Sequence, residues 1–561
     1  MNLLRFLPVA LTVAIVGCSL SPGSDIAGSN AGPRPSSATA LSPSASCAQL
    51  AKGAIAPGSI GLPTRGASVT SVMLVAAQPA TEQAAAIGEY CRVNGIVRSV
   101  DPSAENIEFR LNLPTAWNGR VLQVGGGSMD GTLATSDGTG NVPVSVVGSP
   151  TPLARGFATF GSDSGHQGGG VNPHSDGSFG LNREEAANFA GDAIKKTHDA
   201  ALVLIRAYYS AGPQHVYFAG GSTGGREAFV AVQRYPQDYD GVFAAYPGNN
   251  QIELYLQHVR IAQALYAPGG WLGDREAGLL YRAVLSACDG LDGVRDGIIS
   301  DPAACRFHPD TLRCQDGQDT GDACLSDRQI ETVRTYAERF HTAFTLAGGQ
   351  SSIGGYNIFA GADFTGTLGY APGPVEPSNA QTNASTYISG SQFLKYFIVG
   401  DANYDALRFD TIGGGTYVSR LDEASREFDV TDPDLRAFAQ RGGKLLWVHG
   451  TADAQVPTQA SIDYYNRIVA TMGQQRVDGF LRFYLIPGYG HGVGTFRAGF
   501  DALGALDDWV SHDNLPSGLI VRDNNAATFG RSRPLCQYPG WPRYVGHGDV
   551  NEASSFVCVG P

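Results

Sequence analysis

The stretch on which the fold depends is Val216-Tyr217-Phe218-Ala219-Gly220-Gly221-Ser222-Thr223-Gly224-Gly225-Arg226-Glu227. It begins as a short apolar run, stops at glycines around one serine and continues as a helical segment, Arg226 to Tyr235, that Pro236 ends. A strand, a tight turn and a helix in this order are typical of a nucleophile elbow. The alternative is a glycine-rich turn with an incidental serine, since a chain with 73 glycines contains chance matches. The context of the motif favours the elbow.

Two later loops supply partners for this serine. One strand, residues 444–450, leads into a loop with Asp453, and another, residues 481–486, leads into a loop with His491. A serine hydroxyl needs a base to take its proton and a third group to orient that base. In α/β-hydrolases these groups follow the nucleophile in the order acid, histidine, each after a later strand. The sequence therefore predicts the catalytic triad Ser222, Asp453, His491.

A glycine-rich loop, residues 125–131, precedes the nucleophile and follows a short apolar strand. Its position predicts an oxyanion hole formed by the backbone N–H of Thr223 and by this loop near Ser128. A phosphate-binding loop is excluded, because neither a Lys-Ser/Thr pair nor a dinucleotide fingerprint follows it. Two further histidines, His166 and His449, are interpreted as structural residues.

The order of the expected strands and helices along the chain predicts its architecture. From Cys47 to Gly248 we expect strands and helices to alternate, with a helix at residues 192–209, which indicates a mainly parallel, doubly wound sheet. From residue 249 this alternation of strands and helices stops, with helices predicted at 252–266 and 327–344, and it resumes at Gly442. The fold class is therefore α/β, an α/β-hydrolase fold with a large inserted lid.

The domain boundaries follow from these breaks. They are a signal peptide at 1–17, a flexible linker at 18–46, the first part of the core at 47–248, the lid at 249–440 and the second part of the core at 441–561. Substrate selectivity is expected in the lid. The candidate lining residues are its aromatic side chains Trp271, Tyr387, Phe393, Tyr396 and Phe397.

Charge and the N-terminus indicate the compartment. The net charge of −13 argues against nucleic acid or an anionic membrane surface as the partner. Arg5 and the apolar run of residues 6–16 have the form of a secretory signal, and the run is shorter than a typical membrane span. Residues 15–18 resemble a bacterial lipobox in which Cys18 is lipidated. An ordinary cleaved signal is the alternative, and an exported chain is expected in both cases.

The other eight cysteines form an even set, which suggests four disulfides in an exported chain. Counting does not give the connectivity, and pairing of sequence neighbours is the simplest hypothesis. Those pairs are Cys47 with Cys91, Cys288 with Cys305, Cys314 with Cys324, and Cys536 with Cys558. No Cys-x-x-Cys pair is present, so a zinc site is not expected.

A loop of the lid contains Asp289, Asp292 and Asp296, interrupted by glycines and flanked by Cys288 and Cys305. Carboxylate oxygens are the hard ligands that calcium prefers, although the spacing is not that of an EF-hand. Carboxylates this close repel one another unless a cation lies between them. The loop is therefore either a calcium site or a splayed, solvated turn.

With these motifs identified, the chain resembles the tannase and feruloyl esterase family of α/β-hydrolases, which includes MHETase. The resemblance extends from about Cys47 to Cys558 and depends on the segments around Ser222, 287–298, 449–453 and 533–539. It implies the triad already named, supports the neighbour pairing of the cysteines and implies a structural calcium ion in the lid. The implied calcium ligands are the side chains of Asp289, Asp292 and Asp296 and the backbone carbonyls of Val294 and Ile298.

Two departures from the family pattern are visible. Members of the family typically bridge a cysteine before the nucleophile to one before the histidine, and here these positions are Gly221 and Gly490. We therefore expect the two loops to be held by packing alone and His491 to be more mobile. MHETase holds its substrate's carboxylate with a lid arginine, whereas residues 383–397 contain no arginine and Lys395 as their one cation.

Together these features predict a secreted or lipid-anchored serine esterase that cleaves esters of aromatic acids of the feruloyl or galloyl type. The alternative within the class is an MHETase-like or aliphatic oligoester hydrolase. An alternative of another class is a surface lipoprotein that binds ligands and is catalytically impaired, which the missing triad disulfide motivates. The expected partner is a small aromatic ester, with a membrane contact only through Cys18.

Overall fold

The computed structural model describes residues 43–81, 84–135, 142–168, 172–321 and 323–560. In these residues the strands are β1 (Ala54–Ile55), β2 (Ala67–Val75), β3 (Tyr90–Val97), β4 (Ile107–Pro114), β5 (Arg120–Val124), β6 (Ala158–Ser162), β7 (His215–Gly221), β8 (Gly241–Ala245), β9 (Phe340–His341), β10 (Ser352–Ile353), β11 (Lys444–Gly450), β12 (Leu481–Ile486), β13 (Ala498–Gly499), β14 (Ile520–Asp523), β15 (Ser532–Pro534), β16 (Trp541–Tyr544) and β17 (Phe556–Val559).

The helices of the same residues are α1 (Pro43–Gln49), α2 (Arg183–Ala187), α3 (Ala193–Tyr209), α4 (Thr223–Gln233), α5 (Gln251–Leu265), α6 (Asp274–Cys288), α7 (Asp327–Ala337), α8 (Ser385–Phe393), α9 (Val418–Phe428), α10 (Arg436–Gln440), α11 (Thr458–Met472), α12 (Gln474–Asp478) and α13 (Ala502–His512). Two π-helical segments, Asn188–Asp192 and Leu394–Val399, continue α2 into α3 and extend α8. None of the described helices is long and apolar enough to cross a membrane.

Ten of the described strands form one sheet in the order β1-β2-β3-β4-β6-β5-β7-β8-β11-β12. From β6 to β12 every neighbouring pair is parallel, whereas β1 to β4 pair antiparallel and β4 joins β6 antiparallel. The predicted α/β class with a mainly parallel sheet is confirmed. The carboxyl ends of β5, β7, β11 and β12 meet at one edge of the sheet, where ligands bind in open α/β folds.

Two sequence predictions about elements are wrong. Strands and helices do not alternate from Cys47 onward, because β2, β3 and β4 follow one another as an antiparallel meander before the first long helix. The helix expected at 327–344 ends at Ala337, since Glu338 has an extended backbone (ψ 142°). Phe340 and His341 then pair with β10 instead of continuing the helix.

Side chains of the central strands alternate between two apolar cores, as the two-residue period of a strand requires. On β7, Phe218 lies in the core that includes Phe229 of α4, and Tyr217 lies in the core that includes Leu506 of α13. On β11, Trp447 belongs to the first core and Val448 to the second. Helices therefore cover both faces of the parallel half of the sheet.

The segment between β8 and β11 carries α5 to α10, where the sequence predicts a lid. Its apolar side chains form two clusters, one within the lid, where Trp271 stacks on Tyr266, and one shared with residues 129–190, where Phe393 stacks on Tyr255 and Phe397. The lid is therefore a packed layer with a core of its own.

All four predicted disulfides are present in the described residues. The bonds join Cys47 to Cys91, Cys288 to Cys305, Cys314 to Cys324, and Cys536 to Cys558. The neighbour pairing is confirmed. Cys18, the signal segment and most of the linker lie outside the described residues, so those assignments stay predictions.

Candidate active site

Ser222 lies between the last residue of β7 and the first residue of α4, with φ 61° and ψ −121°. This backbone conformation is rare for a residue with a side chain and is typical of strained functional turns. A side chain at Gly220 would lie 2.2 Å from the carbonyl oxygen of Gly224, so strand and helix touch backbone to backbone. The glycines on both sides of Ser222 are therefore required for the turn that exposes it.

Asp453 and His491 lie on the loops after β11 and β12 and contact each other. The distance from His491 Nδ1 to Asp453 Oδ2 is 2.9 Å, and because a carboxylate only accepts, this bond places a proton on Nδ1. The other oxygen, Oδ1, accepts from the N–H groups of Gln455 and Val456 at 2.8 and 2.9 Å. The fully buried carboxylate is thereby held in one orientation.

The pKa of Asp453 reflects these contacts. Burial acts to raise it, but the charge of His491 and hydrogen bonds from His449 and His491 outweigh burial, and the net pKa lies well below the usual range. Asp453 is therefore ionised over the whole physiological pH range. An ionised, oriented carboxylate beside an imidazole is what a serine hydrolase needs to stabilise the charged histidine during proton transfer.

Ser222 and His491 open into a cavity of about 750 Å³ at the edge of the sheet. Its floor consists of the elbow, the loop of residues 125–129 and Tyr246, and its roof comes from the lid. The described lining residues include no arginine and no lysine. The lid contributes Leu254, Tyr255, His258, Ser385, Ile388 and Ser389.

None of the five aromatic residues expected to line the lid side of the cavity is among its described lining residues. They pack instead within the lid or at its surface, because α5 and α8 present other side chains at the cavity. Lys395 is also absent from the lining. It is buried, and its Nζ lies 3.6 Å from Glu376 Oε1.

The residues expected to form the oxyanion hole lie together. Thr223 is the first residue of α4, where a backbone N–H has no acceptor within the helix. Its side-chain hydroxyl donates to the carbonyl of Ser128, which has a positive φ of 57°. The elbow is thus joined directly to the glycine-rich loop, and both border the cavity.

A buried acidic pair that the sequence motifs do not predict lies beneath this loop. Glu227 Oε2 accepts from the N–H of Gly126 at 3.0 Å, and Glu227 Oε1 accepts from the Ser164 hydroxyl at 3.2 Å. Asp130 also contacts Ser164. Burial first, and then the charge of Glu227, raise the pKa of Asp130 well above its usual value. The raised pKa favours the protonated form of Asp130 beside Glu227. Glu227 follows Ser222 by only five residues.

His166 and His449, which the sequence predicts to be structural, are both buried and bonded to neighbouring groups. His166 Nε2 donates to the carbonyl of Met129 at 2.8 Å, its ring stacks on Phe179, and burial lowers its pKa to about 4. His449 is fully buried, with Nδ1 2.7 Å from Ser461 Oγ and Nε2 3.4 Å from Asp453 Oδ2. Neither is among the described lining residues of the cavity.

His258 of α5 is a lining residue that no motif indicates. Tyr356 donates to the carbonyl of Gln455 at 2.9 Å, so its oxygen accepts from His258 Nε2 at 2.6 Å, and Nδ1 lies 2.6 Å from Ser389 Oγ. Burial lowers the pKa of His258 to about 4, and the imidazole is neutral. Its one sequence signal is that it lies four residues after Leu254, on the same face of α5.

In the aspartate loop of the lid, backbone N–H groups of the loop donate hydrogen bonds to some of its carboxylate oxygens. Asp289 Oδ1 accepts from the N–H groups of Asp296, Gly297 and Ile298 at 3.0 to 3.2 Å, and Asp296 pairs with Arg533. Asp292 Oδ2 is buried and has no hydrogen-bond partner among the described residues. Burial first, and then the neighbouring carboxylates, raise the pKa of Asp292 to about 6.

An unpartnered, buried carboxylate oxygen beside two other aspartates fits a hard cation. Within the described residues, however, no group of three or more His, Cys, Asp or Glu side chains is close enough to hold a metal ion. A calcium ion here would therefore need backbone carbonyl ligands as well. The calcium site stays a prediction.

Comparison with known proteins agrees with this geometry. Residues 91–559 match a family model described as tannase and feruloyl esterase. An uncharacterized esterase from Agrobacterium fabrum is 39% identical over 523 residues, which cover 91% of this chain and 93% of that protein. Mono(2-hydroxyethyl) terephthalate hydrolase from Piscinibacter sakaiensis is 30% identical over 549 residues, covering 86% of this chain and 87% of that enzyme.

Solved structures share the fold. Feruloyl esterase B from Aspergillus oryzae superposes with a TM-score of 0.73 at 24% identity, covering 92% of this chain and all of that one. The tannin acyl hydrolase from Aspergillus niger gives a TM-score of 0.68 at 20% identity, covering 92% of this chain and 95% of that one. At these identities the likeness shows the architecture alone.

Proposed function

The chain belongs to the tannase and feruloyl esterase family and is a carboxylic ester hydrolase, and from that premise we propose that it cleaves esters of aromatic acids through an acyl-enzyme on Ser222. The observation that carries the proposal is the contact between the buried, ionised Asp453 and His491, which borders the same cavity as Ser222.

In the first half-reaction, Nε2 of His491 takes the Ser222 proton as the serine oxygen bonds to the ester carbonyl carbon. The carbonyl oxygen becomes an oxyanion that accepts from the N–H of Thr223 and from the loop at Ser128. His491 then gives its proton to the departing alcohol. In the second half-reaction, water loses a proton to His491, attacks the acyl carbon and releases the acid, which restores the Ser222 hydroxyl.

Asp453 keeps the imidazole oriented during both halves. Its bond to Nδ1 leaves Nε2 free of a proton and able to act as the base, and its negative charge stabilises the imidazolium that forms. The two backbone bonds to Oδ1 prevent the carboxylate from rotating away from the histidine.

The cavity supports an aromatic acyl group. In the cavity that Ser222 borders, the lid presents Leu254, Tyr255 and Ile388, apolar surfaces that suit a planar ring. Relatives of this chain include probable feruloyl esterases from Aspergillus species, at 28% identity. The hydroxyl oxygen of Ser389 can accept a hydrogen bond from a phenolic hydroxyl of the substrate, whereas both ring nitrogens of His258 already have partners.

The alternative substrate is a terephthalate monoester, because one relative is a mono(2-hydroxyethyl) terephthalate hydrolase. That substrate carries a free carboxylate. The described lining has no arginine or lysine to pair with it, and Lys395 is buried against Glu376. A carboxylate without a cation in a partly closed cavity is costly, so this ester should be a poor substrate.

The test is a comparison of initial rates on methyl ferulate, methyl gallate, the terephthalate monoester and p-nitrophenyl butyrate. Wild-type protein, Ser222→Ala and the exposed control Ser517→Ala are compared. We expect the aromatic esters to exceed both other substrates, and Ser222→Ala to lose at least about 10³-fold in kcat while Ser517→Ala is unchanged. Undiminished turnover in Ser222→Ala would exclude the mechanism, and a preference for the terephthalate monoester would exclude the substrate assignment.

We also propose that the aspartate loop binds a structural calcium ion. Asp289, Asp292 and Asp296, with the carbonyls of Val294 and Ile298, would hold it, and its charge would relieve the repulsion between the carboxylates without taking part in catalysis. Calcium should raise the melting temperature of chelator-treated protein, and Asp292→Asn should reduce that rise. An exposed control, Asp508→Asn, should retain it. Melting temperatures that do not respond to calcium would refute the site.

Export is supported by the four disulfides, which persist in oxidising compartments. We propose in addition that the mature chain is anchored by a lipid on Cys18, in the outer membrane or at the surface. Detergent phase partition of protein from the natural host should place the wild type in the detergent phase and Cys18→Ser in the aqueous phase. Equal partition of the two would exclude the anchor.

A further inference from the structure

Tyr246 occupies the space between the elbow and the histidine loop. It directly follows β8, and its ring lies against His491, with the ring centroids 4.6 Å apart and the planes inclined by 58°. The same ring lies 5.9 Å from that of Tyr489. Tyr246 thus contacts the residues on both sides of Gly490.

On its other side the ring lies against the elbow. A Cβ atom added to Gly221 would be 2.8 Å from three atoms of the Tyr246 ring and hydroxyl, a distance that ordinary side-chain contacts do not reach. Gly221 is therefore the residue before the nucleophile that leaves room for this ring. The ring touches the Ser222 side and the His491 side of the site at once.

The backbone of Tyr246 is held on both sides as well. Its N–H donates to the carbonyl of Val448 at 2.8 Å, and the carbonyl of the preceding Ala245 accepts from the N–H of Ser222 at 3.1 Å. Its φ of 35° is unusual for a bulky residue, and such strain persists only where the surroundings impose it. Burial raises the pKa of the hydroxyl to about 12, so the ring is neutral at physiological pH.

We propose that Tyr246 is a positioning residue that holds the imidazole of His491 in place relative to Ser222. It would take the place of a covalent link between the elbow and the histidine loop. The proposal rests on the proposed roles of Ser222 and His491. The ring acts by filling the space between the elbow and the histidine loop and by packing against the imidazole. Its hydroxyl also bonds to that of Tyr489, but the ring is what fills the space, so an aromatic ring without a hydroxyl should keep most of this role.

The first test compares Tyr246→Ala with Tyr246→Phe on the best ester of the panel. A misplaced imidazole reduces the rate of proton transfer more than substrate binding, so we expect Tyr246→Ala to lower kcat by roughly 10- to 100-fold with KM changed less than about threefold. Tyr246→Phe should keep kcat within about threefold of wild type. A fall in Tyr246→Phe equal to that in Tyr246→Ala would overturn the proposal, as would an unchanged kcat in Tyr246→Ala.

The second test is a double-mutant cycle that does not depend on the stability of Tyr246→Ala alone. Gly221→Ala should lower kcat about tenfold or more when Tyr246 is present, because the new methyl group displaces the ring, and have little further effect when Tyr246 is alanine. Gly248→Ala is the matched control, since its Cβ would meet only Leu254 at 3.7 Å. Additive effects of the two substitutions would overturn the proposal.

Ser222→Ala measured alongside separates the two proposals. If Ser222→Ala is inactive, wild type is active and Tyr246→Ala matches wild type, the positioning role alone is wrong. If Ser222→Ala retains wild-type turnover, the proposed function is wrong and the positioning role is wrong with it.

Discussion

At the scale of single residues, burial has opposite outcomes for two carboxylates near the cavity. Asp453 accepts hydrogen bonds on both oxygens and stays ionised. Glu253 of α5 accepts one, from Asn250 at 2.6 Å, and its other oxygen has no partner among the described residues. Burial therefore raises the pKa of Glu253 to about 7. The number of donors that face a buried carboxylate decides which state the fold prefers.

This difference predicts a pH dependence of stability. Between pH 4.5 and 7 the folded chain holds a proton on Glu253 that the unfolded chain has lost, so this residue's contribution to stability decreases as the pH rises through that range. A shift from 4.5 to about 7 corresponds to about 3 kcal/mol. Glu253→Gln removes the titration, so its stability relative to wild type should improve between pH 5 and pH 8.

Urea unfolding of wild type and Glu253→Gln at the two pH values provides the measurement. The exposed Glu338→Gln is the control and should show no such pH-dependent gain. An equal difference between Glu253→Gln and wild type at pH 5 and pH 8 would show that the buried carboxyl does not titrate as proposed.

At the scale of elements, α4 supports the site from below in addition to presenting Ser222. Its Glu227 accepts from Gly126 in the glycine-rich loop and shares Ser164 with Asp130, while its Thr223 donates to Ser128 in the same loop. The helix that carries the nucleophile thus also fixes the loop proposed to hold the oxyanion. Nucleophile and oxyanion donors are therefore positioned by one rigid element.

We expect the loop to require an acceptor at Glu227 and not its charge. Glu227→Ala leaves the Gly126 N–H without its acceptor and should lower kcat by about 10²-fold, in the range found when an oxyanion donor is lost. Glu227→Gln keeps an acceptor oxygen for the Gly126 N–H, so it should stay within about threefold of wild type. Steady-state kinetics on methyl ferulate and melting temperatures distinguish the two, and similar losses in both variants would contradict the expectation.

At the scale of the whole molecule, two of the disulfides join segments that lie outside the described cavity. Cys47–Cys91 ties the N-terminal helix to β3 and closes 44 residues, and both cysteines are buried. Cys314–Cys324 closes 10 residues within the lid. Neither bond borders the described cavity. They should therefore stabilise the fold without affecting the chemical step.

Loop-closure entropy predicts the order of their effects. Removing Cys47–Cys91 by a double alanine substitution should cost about 4 kcal/mol, and removing Cys314–Cys324 about 3 kcal/mol. Below the melting temperature, kcat should be unchanged in both variants. Denaturant unfolding under non-reducing conditions measures the costs, and a larger loss for the shorter loop would contradict the entropic explanation.

The sequence by itself determined the elbow at Ser222, the loops that carry Asp453 and His491 and the α/β class, and it made neighbour pairing the simplest hypothesis for the eight cysteines. These features depend on local chemistry: a glycine where two backbones touch, a strand period of two, and cysteines close along the chain. Each of these features is specified by a few consecutive residues or by the order of the motifs along the chain. The parallel strands then bring the three loops to one edge without further information.

Only the tertiary structure decided what surrounds these groups. Tyr246, His258 and Glu227 lie in unremarkable strand and helix patterns, and their roles depend on which distant segments pack against them. The same holds for the antiparallel strands β1 to β4 and for the lid aromatics, which fill the lid core and not the cavity. Long-range packing selects these neighbours through the space and the hydrogen-bond partners that other elements leave. A short stretch of sequence does not specify that space, because it depends on residues far away in the chain.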